Sequence, residues 1–532
     1  GEPNLYDAGY EFVVGKNVAD KISYNAGIRE MTYTDTMTCL KLYVNGKRFI
    51  PLGGNWGFSE HNLNYRGREY DIAVKYHKDM NFNMIRNWVG QTGDEEFYEA
   101  CDRHGVMVMQ DFWLANPVDG PNPGNEDMFV DNAVDYVKRI RRHPSIAFYC
   151  GRNEGDPTPT LNAALESTVA AWNPGLLYIP NSADYGLTGH GPYGAEADST
   201  YFAIQTGKFH SERGLPNVMT PEGLKRTFGP EIPWPQDDLW GQHDYTQKGA
   251  QRGASFNKIL GSKIGMPDDG EMFGRMAQWE NYDAYRAMFE SSQTERMGLV
   301  IWMSHSCWPS LTWDTYDYYF EPTAAFFGSK KACEPLHVQW NPLTKYVQVV
   351  NIASGTIDNL SVEAKVLGID GKEVESKSAS ISSTSDTTED VFKISCPADI
   401  TSPLFLRLTL KKGDKLLSEN TYSWGAPSDG LKALMDLPEG NVDVSVAKSS
   451  QTSSSVTLKN NGSTVVPLVR LNLKGKDGDQ ILPVDYSDNY FHLMPGESRT
   501  VDISWQDHDA RGEDAVVEIS ALNLRGCLNF ID

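Results

Sequence analysis

Two glutamates close apolar segments of this 532-residue chain: Glu154 ends "IAFYCGRNE" and Glu212 lies in "FHSERG". A carboxylate at the end of a buried strand is placed for chemistry. Glycoside hydrolysis needs two of them across the scissile bond, one to protonate the leaving oxygen and one to attack the sugar or activate water. A carboxyl gap of about 5–5.5 Å goes with retention through a covalent intermediate, and a wider gap with inversion. Taken singly, a strand-end glutamate is more often a salt-bridge partner than a catalyst. The pair, on the fourth and seventh strands of one sheet, is harder to assign to structure alone.

The sheet that would bring them together is readable from about residue 48 to 332, where apolar strands alternate with amphipathic helices. Eight strands are expected: "FIPLGGNW", "MIRNWVG", "VMVMQDFW", "IAFYCGRNE", "LLYIPNSAD", a short one near "GHGPY", "AIQTGKFHSE" and "GLVIWMSHSCW". Helical spacing marks "EYDIAVKYHKDM", "DEEFYEACDRHG" and "DMFVDNAVDYVKRIRRH"; in the last, Val130, Val134, Val137 and Ile140 share a face. This is the scale and order of a (β/α)8 TIM barrel, whose strand C-termini form the rim that carries active sites. The fold class is therefore α/β plus all-β. Residues 1–47 read as the remnant of an immunoglobulin-like β-sandwich with lead-in strands, 48–332 as the barrel, and 333–427 and 428–532 as two immunoglobulin-like β-sandwiches. In the sandwiches Leu404, Leu406, Leu408 and Leu410 alternate along one strand, as do Val469, Leu471 and Leu473. The sandwich division falls near "SWGAPSDG".

Composition narrows the function. Hydrophobic residues are 40% and charged residues 22%, an ordinary globular balance, and the formal net charge of −23 opposes binding to nucleic acid or to an anionic membrane surface. No apolar run approaches the roughly 20 residues of a membrane span. Seven scattered cysteines without a CxxC indicate neither a disulfide framework nor a zinc site. The chain opens without Met on strand-like sequence, so part of a longer precursor is expected to precede it, with a periplasmic or secreted location.

The segments "GIREM", "NGKRFIPLGGNW", "NMIRNWVG", "RRHPSIAFYCGRNE", "FHSERGLPN", "IWMSHSCWPSLTWDTYDYYFEPTAAFFGSKKACEPLHVQW" and "SDNYFHLMPGESRTV" span most of the chain. In this order the chain resembles glycoside hydrolase family 2, in its branch of β-mannosidases, exo-β-D-glucosaminidases and mannosylglycoprotein endo-β-mannosidases. The resemblance implies Glu154 as general acid/base, Glu212 as nucleophile and retention of configuration. It also implies that Arg86, in "NMIRNW", holds the nucleophile ionised; a buried structural arginine is the alternative. Asn153 is expected to bond the sugar 2-hydroxyl, as in related enzymes, or to cap a loop. Complete members carry a jelly-roll domain and an immunoglobulin-like domain ahead of the barrel, and "GEPNLYDAGYEF" resembles the last strands of the latter.

Other residues carry two readings each. Asp111, in "QDFW", binds a substrate hydroxyl or is structural, and Tyr193, in "GHGPYG", is a phenol able to contact the nucleophile. Trp56, Trp88, Trp113, Trp302 and Trp308 fall at expected rim positions, where an indole can stack on a sugar face, though a strand-end tryptophan is also a normal core residue. Trp302 and Trp308 are the stronger candidates. Trp234 and Trp240 form an outer subsite or a loop core. His305 and Cys307 do not make a protease pair, and His243 with Asp244 lacks the companion ligands of a metal. The expectation is a retaining exo-β-glycosidase acting on a glycan, without cofactor or metal. In the glucosaminidase branch the acid position usually reads Ser-Asp, whereas this chain has Asn153-Glu154, which favours a β-mannoside or related neutral sugar over an amino sugar; exo-β-D-glucosaminidase and endo-β-mannosidase are the alternatives within the family. The competing class is a non-catalytic glycan-binding protein.

Overall fold

A computed structural model describes residues 2–56, 67–246, 252–305, 307–352, 354–427 and 429–531, together with the backbone but not the side chain of Phe530. The chain forms two compact units. The first comprises Gly1–Pro192, Thr206–Gly214 and Met297–Trp308, and the second Tyr193–Gln205, Leu215–Arg296 and Pro309–Asp532.

The first unit opens with a hairpin, β1 (Leu5–Val14) and β2 (Asn17–Gly27), whose Tyr6, Tyr10 and Phe12 are exposed. A small antiparallel sheet follows: β3 (Met31–Thr34), β4 (Lys41–Val44) and β5 (Lys47–Phe49). The unit's centre is an eight-stranded parallel sheet. Its strands are β6 (Leu52–Trp56), β7 (Met84–Asn87), β8 (Met107–Asp111), β9 (Ile146–Arg152), β10 (Tyr178–Asn181), β11 (Leu187–Thr188), β12 (Phe209–His210) and β13 (Leu299–His305).

Their order is β10-β9-β8-β7-β6-β13-β12-β11, so the first and last strands pair and the sheet curls round, while the ladder is not completed between the fifth strand, β10, and the sixth, β11. Gly54 permits the β6–β13 approach, because a Cβ there would fall 2.2 Å from Ser304 Cβ. The helices α1 (Arg68–Asp79), α2 (Glu95–His104), α3 (Glu126–Ile140) and α4 (Pro159–Trp172) link the first five strands. Local chemistry fixes their ends. Asn125 and Thr158 cap α3 and α4 by accepting from Met128 N and Leu161 N, and Gly105, at φ 70°, stops α2. On α3 the buried stripe is Ala133, Tyr136, Val137 and Ile140, rotated slightly from the expected valine face.

Met31, Leu40 and Leu42 of the small sheet pack with Met84, Phe148, Leu187, Phe209 and Val300. Several of these begin their strands, so the N-terminal end of the curled sheet is plugged by apolar side chains. Polar chemistry is left to the C-terminal end.

The sixth strand, Leu187–Thr188, lies directly before "GHGPY", where a short one is expected, whereas the seventh is only Phe209–His210, much shorter than expected. The expected "AIQ" start belongs to the end of α5 (Asp198–Ala203) and the loop after it, because Ile204 N closes that helix on Thr200 O.

The second unit holds α5, α6 (Pro221–Phe228), α7 (Asp238–Gln242), α8 (Gly253–Lys263), the long α9 (Gly270–Glu295), α10 (Ala324–Ala332) and two antiparallel sandwiches. The first sandwich packs the sheet of Leu336–Trp340, Tyr346–Asn351 and Thr387–Lys393 with that of Ile357–Gly368, Glu373–Ser383, Leu404–Lys412 and Lys415–Trp424. Leu404, Leu406, Leu408 and Leu410 all enter its core beside Val349, Val362 and Trp340, as alternation requires. The second sandwich uses two four-stranded sheets between Val442 and Phe530, and Val469, Leu471 and Leu473 are buried in it. Glu290 of α9 joins helix to sandwich by accepting from Tyr422 Oη at 2.8 Å and Asn420 Nδ2 at 2.6 Å. No helix among the described residues is long and apolar enough to cross a membrane.

Candidate active site

Four candidate residues meet at the C-terminal end of the curled sheet. Arg86, on β7, is wholly buried and forks onto Asp111, the last residue of β8: Nε donates to Oδ2 at 3.0 Å and Nη2 to the same oxygen at 2.7 Å. Its Nη1 donates to Glu212 Oε1 at 2.6 Å, and Nη2 also reaches Asn153 Oδ1 at 2.7 Å. One planar cation thus orders a residue from each of three other strand ends, which the fixed fork of a guanidinium can do and the point charge of a lysine cannot.

The electrostatics follow from burial. Desolvation alone would lower the Arg86 pKa, but Asp111 and Glu212 overcome it and hold the guanidinium charged well above its ordinary range. Desolvation pushes the Asp111 carboxyl up, opposed by Arg86 and by the Val89 N–H, which donates to its Oδ2 at 3.1 Å. Both Asp111 oxygens accept from Arg86, through three hydrogen bonds that are stronger to a carboxylate than to an acid, which favours the ionised pair.

Glu154 sits just beyond β9 in a different environment. Its side chain is 19% exposed, with His190 Nδ1 3.4 Å from Oε1, and His190 is itself 63% exposed. Its backbone φ is 48°, in the left-handed region that non-glycine residues seldom occupy, and such bends gather at functional sites. The Glu154 N–H donates to Ser182 Oγ at 3.1 Å, and that hydroxyl donates to Asn153 Oδ1 at 3.2 Å. Glu212 and Glu154 therefore share one continuous network through Arg86, Asn153 and Ser182. One carboxylate is buried against a cation; the other faces solvent.

Around the network stand aromatic side chains. Trp88 and Trp302 meet edge to face at 4.5 Å, and the Trp302 N–H donates to Arg213 O, beside Glu212. Trp113, partly exposed, packs against Tyr136 and Phe129 of α3. Trp308 is half-buried. Trp56, the last residue of β6, is fully buried and packed among His305, His77, Tyr70 and Phe97, the core alternative; a sugar-stacking indole and a core indole are the same letter in sequence. Tyr193 belongs to the second unit, where its ring lies 6.3 Å from Trp313. Trp240 is buried with Trp234, Phe228, Tyr245 and Phe273, the loop-core alternative.

Sequence reasoning did not single out Ser182, Ser211 or His190. A serine after "YIPN" carries no compositional signal, and His190 gains meaning only from its distance to Glu154. Among the described residues no three His, Cys, Asp or Glu side chains group as metal ligands. His210, before Ser211, takes a hydrogen bond from Arg213, and its pKa is lowered to about 3 by burial and then by that cation.

Comparison with known proteins agrees with this architecture. A family profile described as the exo-β-D-glucosaminidase Ig-fold domain matches residues 420–524, most of the second sandwich. The chain is 28% identical to the mannosylglycoprotein endo-β-mannosidase of Lilium longiflorum over 95% of its length and 66% of the lily protein. It is 26% identical to the exo-β-D-glucosaminidase of Streptomyces avermitilis over 98% of its length and 64% of that protein. β-Mannosidase B of Thermothelomyces thermophilus matches at 24%, over 64% of this chain and 46% of its own. The chain thus spans just under two thirds of the first two of these curated relatives. The crystal structure of Amycolatopsis orientalis exo-chitosanase CsxA superposes over 100% of this chain and 70% of its own with a TM-score of 0.88 at 23% identity, a likeness of fold. The chain is a homologue of enzymes named mannosylglycoprotein endo-β-mannosidase, exo-β-D-glucosaminidase and β-mannosidase, the branch of glycoside hydrolase family 2 that its motifs resemble.

Proposed function

We propose that the chain carries the active site of a retaining β-glycosidase that removes terminal β-linked sugars, a β-mannoside or related neutral β-glycoside, from oligosaccharides. Glu212 attacks the anomeric carbon while Glu154 protonates the leaving oxygen, and water deprotonated by the same Glu154 then releases the sugar. The observation that carries this reading is the 2.6 Å bond from Arg86 to Glu212, which sets a buried cation against that carboxylate and aims it. Glu154, partly exposed beside His190, is where a leaving group could be met. Asn153 has its amide oxygen committed to Arg86 and Ser182, so its Nδ2 donor turns the other way, suited to a sugar hydroxyl. Trp88, Trp113, Trp302 and Trp308 are the proposed sugar-stacking surfaces.

A panel of aryl β-glycosides tests the reading. Hydrolysis of the mannoside with the β anomer appearing first by NMR is expected, and Glu212→Gln should lose more than about 10³-fold of kcat. An undiminished variant, or a wild type inert across the panel but binding glycans, would move the protein into the non-catalytic class. The match over residues 420–524 favours a second reading, an exo-β-D-glucosaminidase. Preference for the β-glucosaminide within the same panel would select it.

A further inference from the structure

We propose that Ser182 and Ser211 are a positioning pair that sets the acid/base strand end in register with the nucleophile strand end, across the gap where the parallel ladder is not completed. The proposal rests on the assignment of Glu154 and Glu212 above and concerns residues that touch neither the sugar nor the reacting atoms.

The gap lies between β10 and β11, the two ends of the sheet order. Strand ends that lose a neighbour must find other partners for their backbone polar groups. Ser182, immediately after β10, has its carbonyl taken by Ser211 Oγ at 2.6 Å, while Ser211 N donates to Thr188 O at 2.8 Å and so continues the β11–β12 pairing. One residue, through its hydroxyl and its backbone N–H, therefore stitches three strand ends together. Both serines are fully buried. Gly189 leaves the room they need, since a Cβ there would sit 2.3 Å from Ser211 Oγ and 3.0 Å from Ser182 O.

The two ends of this link are the two catalytic segments. Ser211 directly precedes Glu212. Ser182 has one hydroxyl proton, given to Asn153 Oδ1, and its lone pair accepts the Glu154 N–H in the left-handed bend. A shift of Ser182 is therefore a shift of Glu154 and of the Asn153 amide, whereas Glu212 stays tied to Arg86. Weakening the link should misplace the proton donor more than the nucleophile.

That asymmetry has a kinetic signature. Protonation matters for a poor leaving group and little for an activated phenol. Values of kcat/KM would be measured for wild type, Ser182→Ala, Ser211→Ala and Gly189→Ala on aryl β-glycosides of graded leaving-group acidity. Expected losses are about 10²-fold on the poorest leaving group and under about threefold on the best. Ser182→Thr, which keeps the hydroxyl, should recover most of the loss. Ser211→Ala leaves both bonds of the Ser182 hydroxyl in place, so it tests the link even where Ser182→Ala does not fold. Losses equal across all leaving groups, or no loss, overturn the pair. A wild type without glycosidase activity, or an active Glu212→Gln, overturns the assignment beneath it instead.

Discussion

Two buried ionic clusters, one in each unit, use the same physics to different ends. Around Arg86 the network grades from fully buried Arg86 and Asp111, through Glu212, to Glu154 and the exposed His190. In the second unit His337 is fully buried, with Nε2 3.1 Å from Glu290 Oε1 and Nδ1 3.1 Å from Glu334 Oε2; Asn420 and Tyr422 also bond Glu290, and Ser418 bonds Glu334. The first cluster opens toward solvent at one end, at Glu154 and His190. The second joins α9 to the first sandwich with its central histidine sealed on both sides. A buried charge network is therefore not by itself the mark of an active site: Glu334 is 21% exposed, as open as Glu154 at 19%, and what sets the first cluster apart is its place at the strand C-termini with the exposed His190 beside Glu154.

Breaking the first cluster should have the largest effect. Arg86→Ala leaves Asp111 buried without its cation, and a loss of about 3–5 kcal/mol is expected by chemical denaturation. Activity should fall by at least about 10²–10³-fold, the scale of a lost charge-stabilising donor, and Arg86→Lys should restore stability better than rate because it lacks the fork. A Lys variant of full activity would show that charge alone suffices. Next in size, Glu290→Gln removes the carboxylate that His337, Asn420 and Tyr422 share. A cost of about 1–3 kcal/mol is expected, with kcat equal to wild type. A matching fall in kcat would erase the contrast between the clusters.

What sequence could read here depended on repetition. The strand leading to Glu154 shows itself through seven consecutive buried residues, Ile146–Arg152, and the sandwich strand through four alternating leucines. The sixth and seventh strands have two residues each, too few for any period to register, and Ile204 looked like strand because it is apolar although it caps a helix. Trp56 keeps two readings because residue type does not distinguish a sugar-stacking indole from a core one, and burial selects the core. Ser182, Ser211 and the His337 cluster join residues far apart in the chain through single small polar groups, and such pairings leave no local pattern. Glu154 and Arg86 stood out because strand ends in this architecture are a small set of positions.

The smallest effect expected is a pH dependence that separates His337 from His77, His305 and His492. Burial opposes charge on His337, but its hydrogen bonds to Glu290 and Glu334 prevail and its pKa is raised above the ordinary value. Its stabilisation is therefore complete below the unfolded-state value of about 6.5 and is lost as pH rises through the folded value. His77 is the opposite case: desolvation lowers its pKa to about 4, and burial also lowers His305 and His492 to about 3. Those three stay neutral in the fold while the unfolded chain takes up protons, so their contribution turns against the native state as pH falls below about 6.5. Overall stability should then decline on the acid side, whereas the gap between wild type and His337→Gln should be widest there and narrow as pH rises. Urea denaturation of both proteins between about pH 5 and 9 measures that gap. A gap independent of pH would mean that His337 is held neutral and that the second cluster is an ordinary hydrogen-bonded core rather than an ionic clamp.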